Sequence, residues 1–258
     1  MVFVGMLSVA VSDHCIARFQ IHTGKPGAAA PDGAHGHTPL PVTSSGTASM
    51  SKHASIHKTK LFGISGSRAL RAIWGIEEVG IDYEHVPTSF GADSKSPDYL
   101  AVNPNGRIPA LIDGNLQLFE SMAINLYLTK RYGGALYPST AADEARAIAW
   151  SVWGISEIEP LQMQIVIQKL FTPEDKRNPK VIEGATKSLQ RPLNVLDASL
   201  AGRQWLIGDS FSVADLNVAA VMHLMKMIQF GYAEHGNVQR WADACYARPA
   251  LARALARP

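Results

Sequence analysis

Cysteine is nearly missing from this chain: Cys15 and Cys245 are the only two in 258 residues. They lie far apart in different kinds of segment, which excludes a disulfide framework and fits a reducing compartment such as the cytoplasm. Excess charge of one sign is also missing. The net charge is +2, so nothing calls for nucleic acid or an anionic membrane surface as partner. No apolar run reaches the roughly 18 residues of a membrane span. Metal-ligand spacing is absent too: His14, His22, His35, His37, His53 and His57 are scattered, and no cysteine or histidine cluster follows them, so no metal is expected. What remains is a chain with 47% hydrophobic and 18% charged residues. That balance is typical of a packed globular protein, and the length suffices for one large or two modest domains.

The first segment, residues 1–57, carries little folding signal. Met1 to Ala10 is apolar but lacks the basic start of a secretory leader. Thr23 to Ser49 is rich in Gly, Pro, Ala, Ser and Thr, with no apolar periodicity. The segment reads as a disordered extension or, with Met50 as the working start, as sequence upstream of the true start.

Residues 58–134 read as an α/β domain. Lys60 to Ile64 is a short strand, and Ser65-Gly66-Ser67 is a turn with Ser67 placed to cap a helix. Leu70, Ile73 and Trp74 repeat at helical spacing, with Glu77 and Glu78 expected to face outward and Gly80 to stop the helix. Ile81 to Val86 alternates as a strand, and a short helix fits Pro97 to Leu100. Asn103-Pro104-Asn105-Gly106 is a cluster of turn formers. Ile108 to Ile112 and Leu116 to Phe119 flank Asp113-Gly114-Asn115, a strong hairpin signal. Glu120-Ser121 then opens a helix that Gly133-Gly134 stops. This order of strands and helices predicts a mixed sheet covered by helices, and a thioredoxin-like arrangement is one of few that fit it.

Two places in that domain point to chemistry. A strand beginning near Pro109 lies on an edge or in a special turn. Beside a helix start, it offers free backbone groups in a weak positive field, suited to a small peptide-like ligand with a carboxylate. At the Ser65-Gly66-Ser67 turn, a hydroxyl beside a helix N-terminus is placed to donate to a bound thiolate. Both serines also serve as ordinary turn and cap residues.

Residues 139–258 read as all-helical. Thr140 to Asp143 resembles a capping box before a long helix towards Leu170, which Pro160 should kink. Leu189, Leu193, Leu196 and Leu200 form a stripe with Pro192 inside it, so a bend is expected there. Ser212 and Asp215 make a capping box, with Phe211 and Leu216 as its staple. Met222, Met225 and Met227 on the following helix read as core filling. His223 and His235 read as core and loop residues. Trp241 lies on one more helix, and Pro249 starts a last short one.

Four segments together resemble one family: KLFGISGSRALRAIWGIEEVG, NPNGRIPAL, FESMAI and, much later, WLIGDSFSVADL. Over roughly residues 58 to 247 the chain resembles the cytosolic glutathione transferases, in a serine-type, theta-like or bacterial-fungal branch. The resemblance implies a thioredoxin-like N-terminal domain plus an all-α C-terminal domain, usually assembled as a homodimer, with glutathione as co-substrate and a small electrophile as partner. It implies that Pro109 is a cis-proline and that Ile108 pairs its backbone with the cysteinyl part of glutathione. Glu120 and Ser121 match the residues holding the γ-glutamyl end, and Arg107 falls near the glutathione backbone. The activating hydroxyl in such members stands four residues ahead of an arginine. Counted from Arg68 that position is Ile64, which has no donor, and counted from Arg71 it is Ser67; Ser65 is the neighbouring alternative. No tyrosine or cysteine stands in the turn. Trp150, Trp153 and Met163 are expected to line the electrophile pocket.

Activity follows in outline: glutathione thiolate attacking an electrophile, in a detoxifying role. Glutathione-dependent isomerisation or peroxide reduction is an alternative, although the isomerase branch usually carries a Ser-Ser-Cys turn. A non-catalytic transferase-like module for protein interaction is the alternative from another class, and Pro109, Glu120 and Ser121 argue against it.

Overall fold

Leu61 sits at the centre of the first half, on a short strand with no exposed surface. The computed structural model describes residues 58–258; the expectations for residues 1–57 lie outside the described residues. Strand β1 (Thr59–Phe62) leads through the serine turn into helix α1 (Leu70–Val79), then β2 (Tyr83–Val86), α2 (Pro97–Val102), β3 (Ala110–Asp113), β4 (Leu116–Phe119) and α3 (Ser121–Tyr132). The sheet order is β2-β1-β3-β4. β1 pairs parallel with β2 and antiparallel with β3, and the Gly114 hairpin returns β3 into antiparallel β4. This is the thioredoxin-like domain that the element order predicts.

The all-helical half contains α4 (Ala141–Trp153), α5 (Glu159–Val166), α6 (Pro179–Ser199), α7 (Val213–Met227), α8 (Gly236–Tyr246) and α9 (Pro249–Leu255). The long helix expected over 141–170 is interrupted. A π-type turn over Gly154–Ile158 joins α4 to α5, and a second over Ile167–Phe171 ends it. Pro160 lacks the N–H of a regular ladder, and a widened turn just before it accommodates that loss. Helix α6, by contrast, runs unbroken through Pro192.

Helix α7 is the hub. Its residues Val213 to His223 are all buried, because it touches α1, α3, α4, α5 and α8. Its start is fixed by Asp215, whose Oδ2 accepts from the Ser212 N–H and hydroxyl while Oδ1 accepts from the Leu206 N–H and Trp241 Nε1. One carboxylate thereby ties the loop before α7 to α8.

A polar seam joins the two halves. Asn125 Nδ2 on α3 donates to the Arg71 carbonyl on α1 (3.0 Å) and to Asn217 Oδ1 on α7 (2.9 Å). Asn217 Nδ2 donates onward to Ser151 Oγ on α4 at 2.8 Å. Buried polar groups are costly unless paired, so this chain fixes one register between sheet domain and helices. Gly75 permits it: a Cβ there would stand 2.0 Å from Asn125 Oδ1.

Glu77 and Glu78 depart from the outward orientation expected of them. Their side chains are 8% and 3% exposed. Helix α9 and the residue before it cover that side of α1: Arg248 forks onto Glu78, while Arg253 and Arg257 bind Glu77. A periodicity read within α1 does not reveal a cover that arrives from 170 residues away. His235 is a loop residue as expected, just before α8, but it is 3% exposed and paired with Asn194.

Candidate functional site

Strand register gathers the sequence-predicted residues at one end of the sheet. Phe62 pairs with Ala110, and Ala110 pairs with Phe119. The residues just beyond those pairs are therefore neighbours: the turn after Phe62, Ile108-Pro109 before Ala110, and Glu120-Ser121 after Phe119. A Cβ on Gly63 would lie 3.7 Å from Ile108 Cβ, so the first and second of these segments touch.

The second and third of these segments carry unspent polar groups. The Ile108–Pro109 bond is cis, and ladder pairing stops at Ala110, which leaves the Ile108 backbone outside the sheet. The turn before it is rigid: Tyr99 Oη and Asn103 Nδ2 both donate to the Arg107 carbonyl at 2.6 Å. The Arg107 side chain is exposed. Glu120 has φ 70°, a conformation that non-glycine residues avoid and that typically costs about 1–3 kcal/mol. It aims the start of α3 sharply away from β4 while its carboxylate stays exposed. Ile124 N–H donates to the Glu120 carbonyl, so the N–H groups of Ser121, Met122 and Ala123 precede the helix ladder. Glu120 makes no side-chain cap. A buried hydroxyl, Ser121, stands at this uncapped helix start, a ready site for an anion.

The serine turn is tighter than a simple N-cap. Helix α1 begins at Leu70, three residues after Ser67, through a 3₁₀-like turn in which Leu70 N–H donates to the Ser67 carbonyl. Ser67 Oγ donates to the Ile64 carbonyl at 2.8 Å and accepts from Ala69 N–H. Ser65 is committed elsewhere. Its hydroxyl donates to the Arg257 carbonyl and its N–H to the Pro258 carbonyl, each at 2.7 Å.

Facing the turn is a cleft between the two halves. Ser65, Gly66, Ser67, Arg68, Leu70 and Arg71 form one side, with Val166, Leu170, Phe171, Ala220, His223, Leu224 and Met227 opposite. Glu159 holds the floor by pairing with both Arg68 and Arg71. Burial alone raises its carboxyl pKa, but the two guanidiniums outweigh that and hold it below the usual range. Among the described residues no group of acidic, histidine or cysteine side chains forms a metal site. Cys245 is buried, and burial pushes its thiol pKa well up, so it is no nucleophile.

The family models match on both sides of that cleft: the glutathione S-transferase N-terminal domain over residues 57–130 and the C-terminal domain over 158–249. Glutathione S-transferase 3 of Zea mays is 36% identical over 207 residues, covering 76% of this chain and 93% of that protein. The chain belongs to the glutathione S-transferase family. GstB of Escherichia coli K12 is 31% identical, covering 71% of this chain and 90% of that one. Among solved structures, the theta class glutathione S-transferase of Xanthomonas axonopodis pv. citri with glutathione bound superposes with a TM-score of 0.70 at 30% identity. That match covers 78% of this chain and 98% of that one.

Within this glutathione S-transferase family member, Trp150, Trp153 and Met163 do not line the cleft beside the serine turn. Trp153 lines a different cleft of about 540 Å³, with Val152, Glu157, Arg191 and Val195. Trp150 packs edge-on against Trp153 at 5.0 Å, and Met163 packs on the core. The π-type turns rotate the face of the long helix part-way along, so an unbroken helical wheel misplaces its wall residues. The wall beside the serines comes from the end of that helix and from α7. Met227, read as core, is 54% exposed there. An apolar residue near the end of α7 was the available signal, but it is common to core helices as well.

Proposed function

We propose that this protein is a glutathione transferase that binds glutathione across Ile108, Pro109, Glu120 and Ser121 and directs its thiolate at an electrophile in the cleft of His223 and Phe171. The observation that carries this reading is the uncapped start of α3, where the Ser121 hydroxyl has no protein partner among the described residues. A γ-glutamyl carboxylate supplies the acceptor that those donors lack, and the Glu120 carboxylate suits its ammonium. Ile108 offers its free backbone to the cysteinyl residue as one more edge contact, and Arg107 lies beside it for the peptide's remaining charge.

The sulfur then falls by the serine turn. Lowering a thiol pKa from about 8.5 to about 6.5 takes about 2.7 kcal/mol. One charge-assisted hydrogen bond, worth about 1.5–3 kcal/mol less the neutral bond it replaces, together with the start of α1 supplies part of it. Ser67 supplies that bond by turning from the Ile64 carbonyl, whereas Ser65 is spent on Arg257. Isomerase and peroxidase chemistry would use the same thiolate. The absence of a second thiol in the turn favours conjugation.

The active unit is a homodimer in this reading. Ile148, Val152, Ile155 and Val195 are exposed around the larger cleft, as are Leu116 and Phe119 on β4. A second copy that covers both patches removes this apolar surface from water. No described helix is long and apolar enough to cross a membrane, and a cytoplasmic detoxifying role fits the scarcity of cysteine. Calorimetric titration with glutathione, combined with a conjugation assay on a panel of electrophiles and light scattering for mass, tests the whole reading. Absence of glutathione binding refutes it.

A further inference from the structure

His223 is the one polar side chain that the helical half contributes to the cleft beside the serine turn; Val166, Leu170, Phe171, Ala220, Leu224 and Met227 make up the rest of that wall. The ring is 7% exposed and stands edge-on to Tyr246, 5.6 Å between centroids. Its Nδ1 is sealed from solvent and has no partner. Nε2 has no hydrogen-bond partner among the described residues either, and it is not sealed, so the ring's remaining contact with the cleft runs through Nε2.

Burial, with the nearby Lys226 charge, pulls the imidazole pKa down to about 4. The ring is therefore neutral at physiological pH and carries one proton. A buried N–H without an acceptor is rarer than an under-used lone pair, which puts the bare lone pair on sealed Nδ1 and the proton on Nε2. The result is a neutral donor on an otherwise apolar wall, across the cleft from the serine turn at which a thiolate is placed.

We propose, building on the transferase reading above, that His223 is a specificity-determining residue whose Nε2–H binds an oxygen of the electrophile, so that the preferred substrates are apolar conjugated carbonyl compounds. In the addition, a sulfur lone pair forms the C–S bond at the β-carbon. The C=C π pair moves to give an enolate with its charge on the carbonyl oxygen. The Nε2–H bond stabilises that charge as it develops, in a water-poor site where such a donor counts most. Water then supplies the proton taken up at the α-carbon, and the imidazole keeps its own. An alkyl halide needs no such donor, since its leaving halide departs away from an oxygen-based contact.

The test compares a medium-chain 2-alkenal with an alkyl iodide of equal length on the wild type, His223→Phe and His223→Gln. Phe keeps the ring volume and the contact with Tyr246 but has no donor. Gln keeps an N–H. The expected result is a roughly 10- to 100-fold loss of kcat/KM for the alkenal in His223→Phe, against a much smaller loss for the iodide, with glutathione KM held to within about twofold. His223→Gln should recover part of the alkenal rate. Equal losses on both substrates, or none on either, overturn the proposal. A wild type that conjugates the iodide but not the alkenal also overturns it and leaves the transferase reading standing. A wild type that conjugates neither and forms no bound thiolate removes both.

Discussion

Replacing Ser121 with alanine isolates one contact of the proposed glutathione site. The hydroxyl is the first side chain of α3, buried, and makes no hydrogen bond to any described residue. The substitution therefore leaves the protein's own bonds intact. Glu120 already provides no side-chain cap, so helix α3 loses nothing at its start. A charge-assisted bond to a carboxylate is worth about 1.5–3 kcal/mol, which predicts a roughly 10- to 150-fold rise in the Kd for glutathione. Binding should persist, because the N–H groups at the start of α3 remain. At saturating glutathione kcat should be nearly unchanged, since this contact holds the γ-glutamyl end and not the sulfur. Isothermal titration calorimetry gives the affinity, and a thermal melt of the free protein gives the control. An affinity within about twofold of wild type refutes the role assigned to Ser121. So does a weakening matched by an equal loss of fold stability, which would make the residue structural.

The serines of the turn should behave differently from each other. Ser67→Ala should move the ultraviolet thiolate titration of bound glutathione back towards the free-thiol value of about 8.5, whereas Ser65→Ala should leave it in place; the reverse pattern refutes the assignment. Asp215→Asn should destabilise the fold by about 1–3 kcal/mol in urea melts, because an amide NH2 in place of Oδ1 faces two buried N–H donors and in place of Oδ2 faces the Ser212 N–H. A loss under about 1 kcal/mol would show that the loop before α7 repacks. Burial raises the Glu77 pKa, yet hydrogen bonds from Tyr83, Arg257 and Arg253 outweigh it and hold the group below the usual glutamate range. Its stabilisation is therefore complete above about pH 4.3 and fades as pH falls through the folded-state value. Glu77→Gln should be less stable than wild type near neutrality, with the gap closing in acid. A gap independent of pH refutes the ion-pair account.

The glutathione half was legible because its signals are local. Asn103 to Gly106, the Asp113-Gly114 hairpin and the Glu120-Ser121 helix start each declare their geometry within a few residues. Strand register then brings the segments after Phe62, before Ala110 and after Phe119 to one end of the sheet, with the hairpin at the other. The capping box at Ser212 and Asp215 was legible for the same reason. Its further reach to Leu206 and Trp241 was not, since nothing near Asp215 marks those donors. The residues that line the cleft beside the serine turn were not legible, because they depend on how the 141–171 helix is wound. Two π-type turns change which side chains share a face, and those turns answer to Pro160 and to packing against α6 and α7. Glu77 and Glu78 failed for a related reason: their partners are arginines about 170 to 180 residues downstream.

The choice between Ser65 and Ser67 shows how such distant contacts reach the chemistry. In the sequence the two hydroxyls stand two residues apart in one turn, and only the spacing to Arg71 favours Ser67. Ser65 is tied through both its N–H and its hydroxyl to the Arg257–Pro258 carbonyls, and Arg257 is anchored on Glu77 and stacked over the Tyr83 ring. Freeing Ser65 would mean detaching that strap from two backbone-linked bonds and disturbing the ion pair behind it. Ser67 gives up one neutral bond to the Ile64 carbonyl, worth about 0.5–1.5 kcal/mol net, for one to a thiolate worth about 1.5–3 kcal/mol. The exchange is favourable by about 0–2.5 kcal/mol, and Ala69 N–H still donates to the same oxygen, holding it at the start of α1. In the proposed mechanism Glu77, on the hidden side of α1, thus helps select which serine meets the sulfur, by fixing the strap that occupies the other.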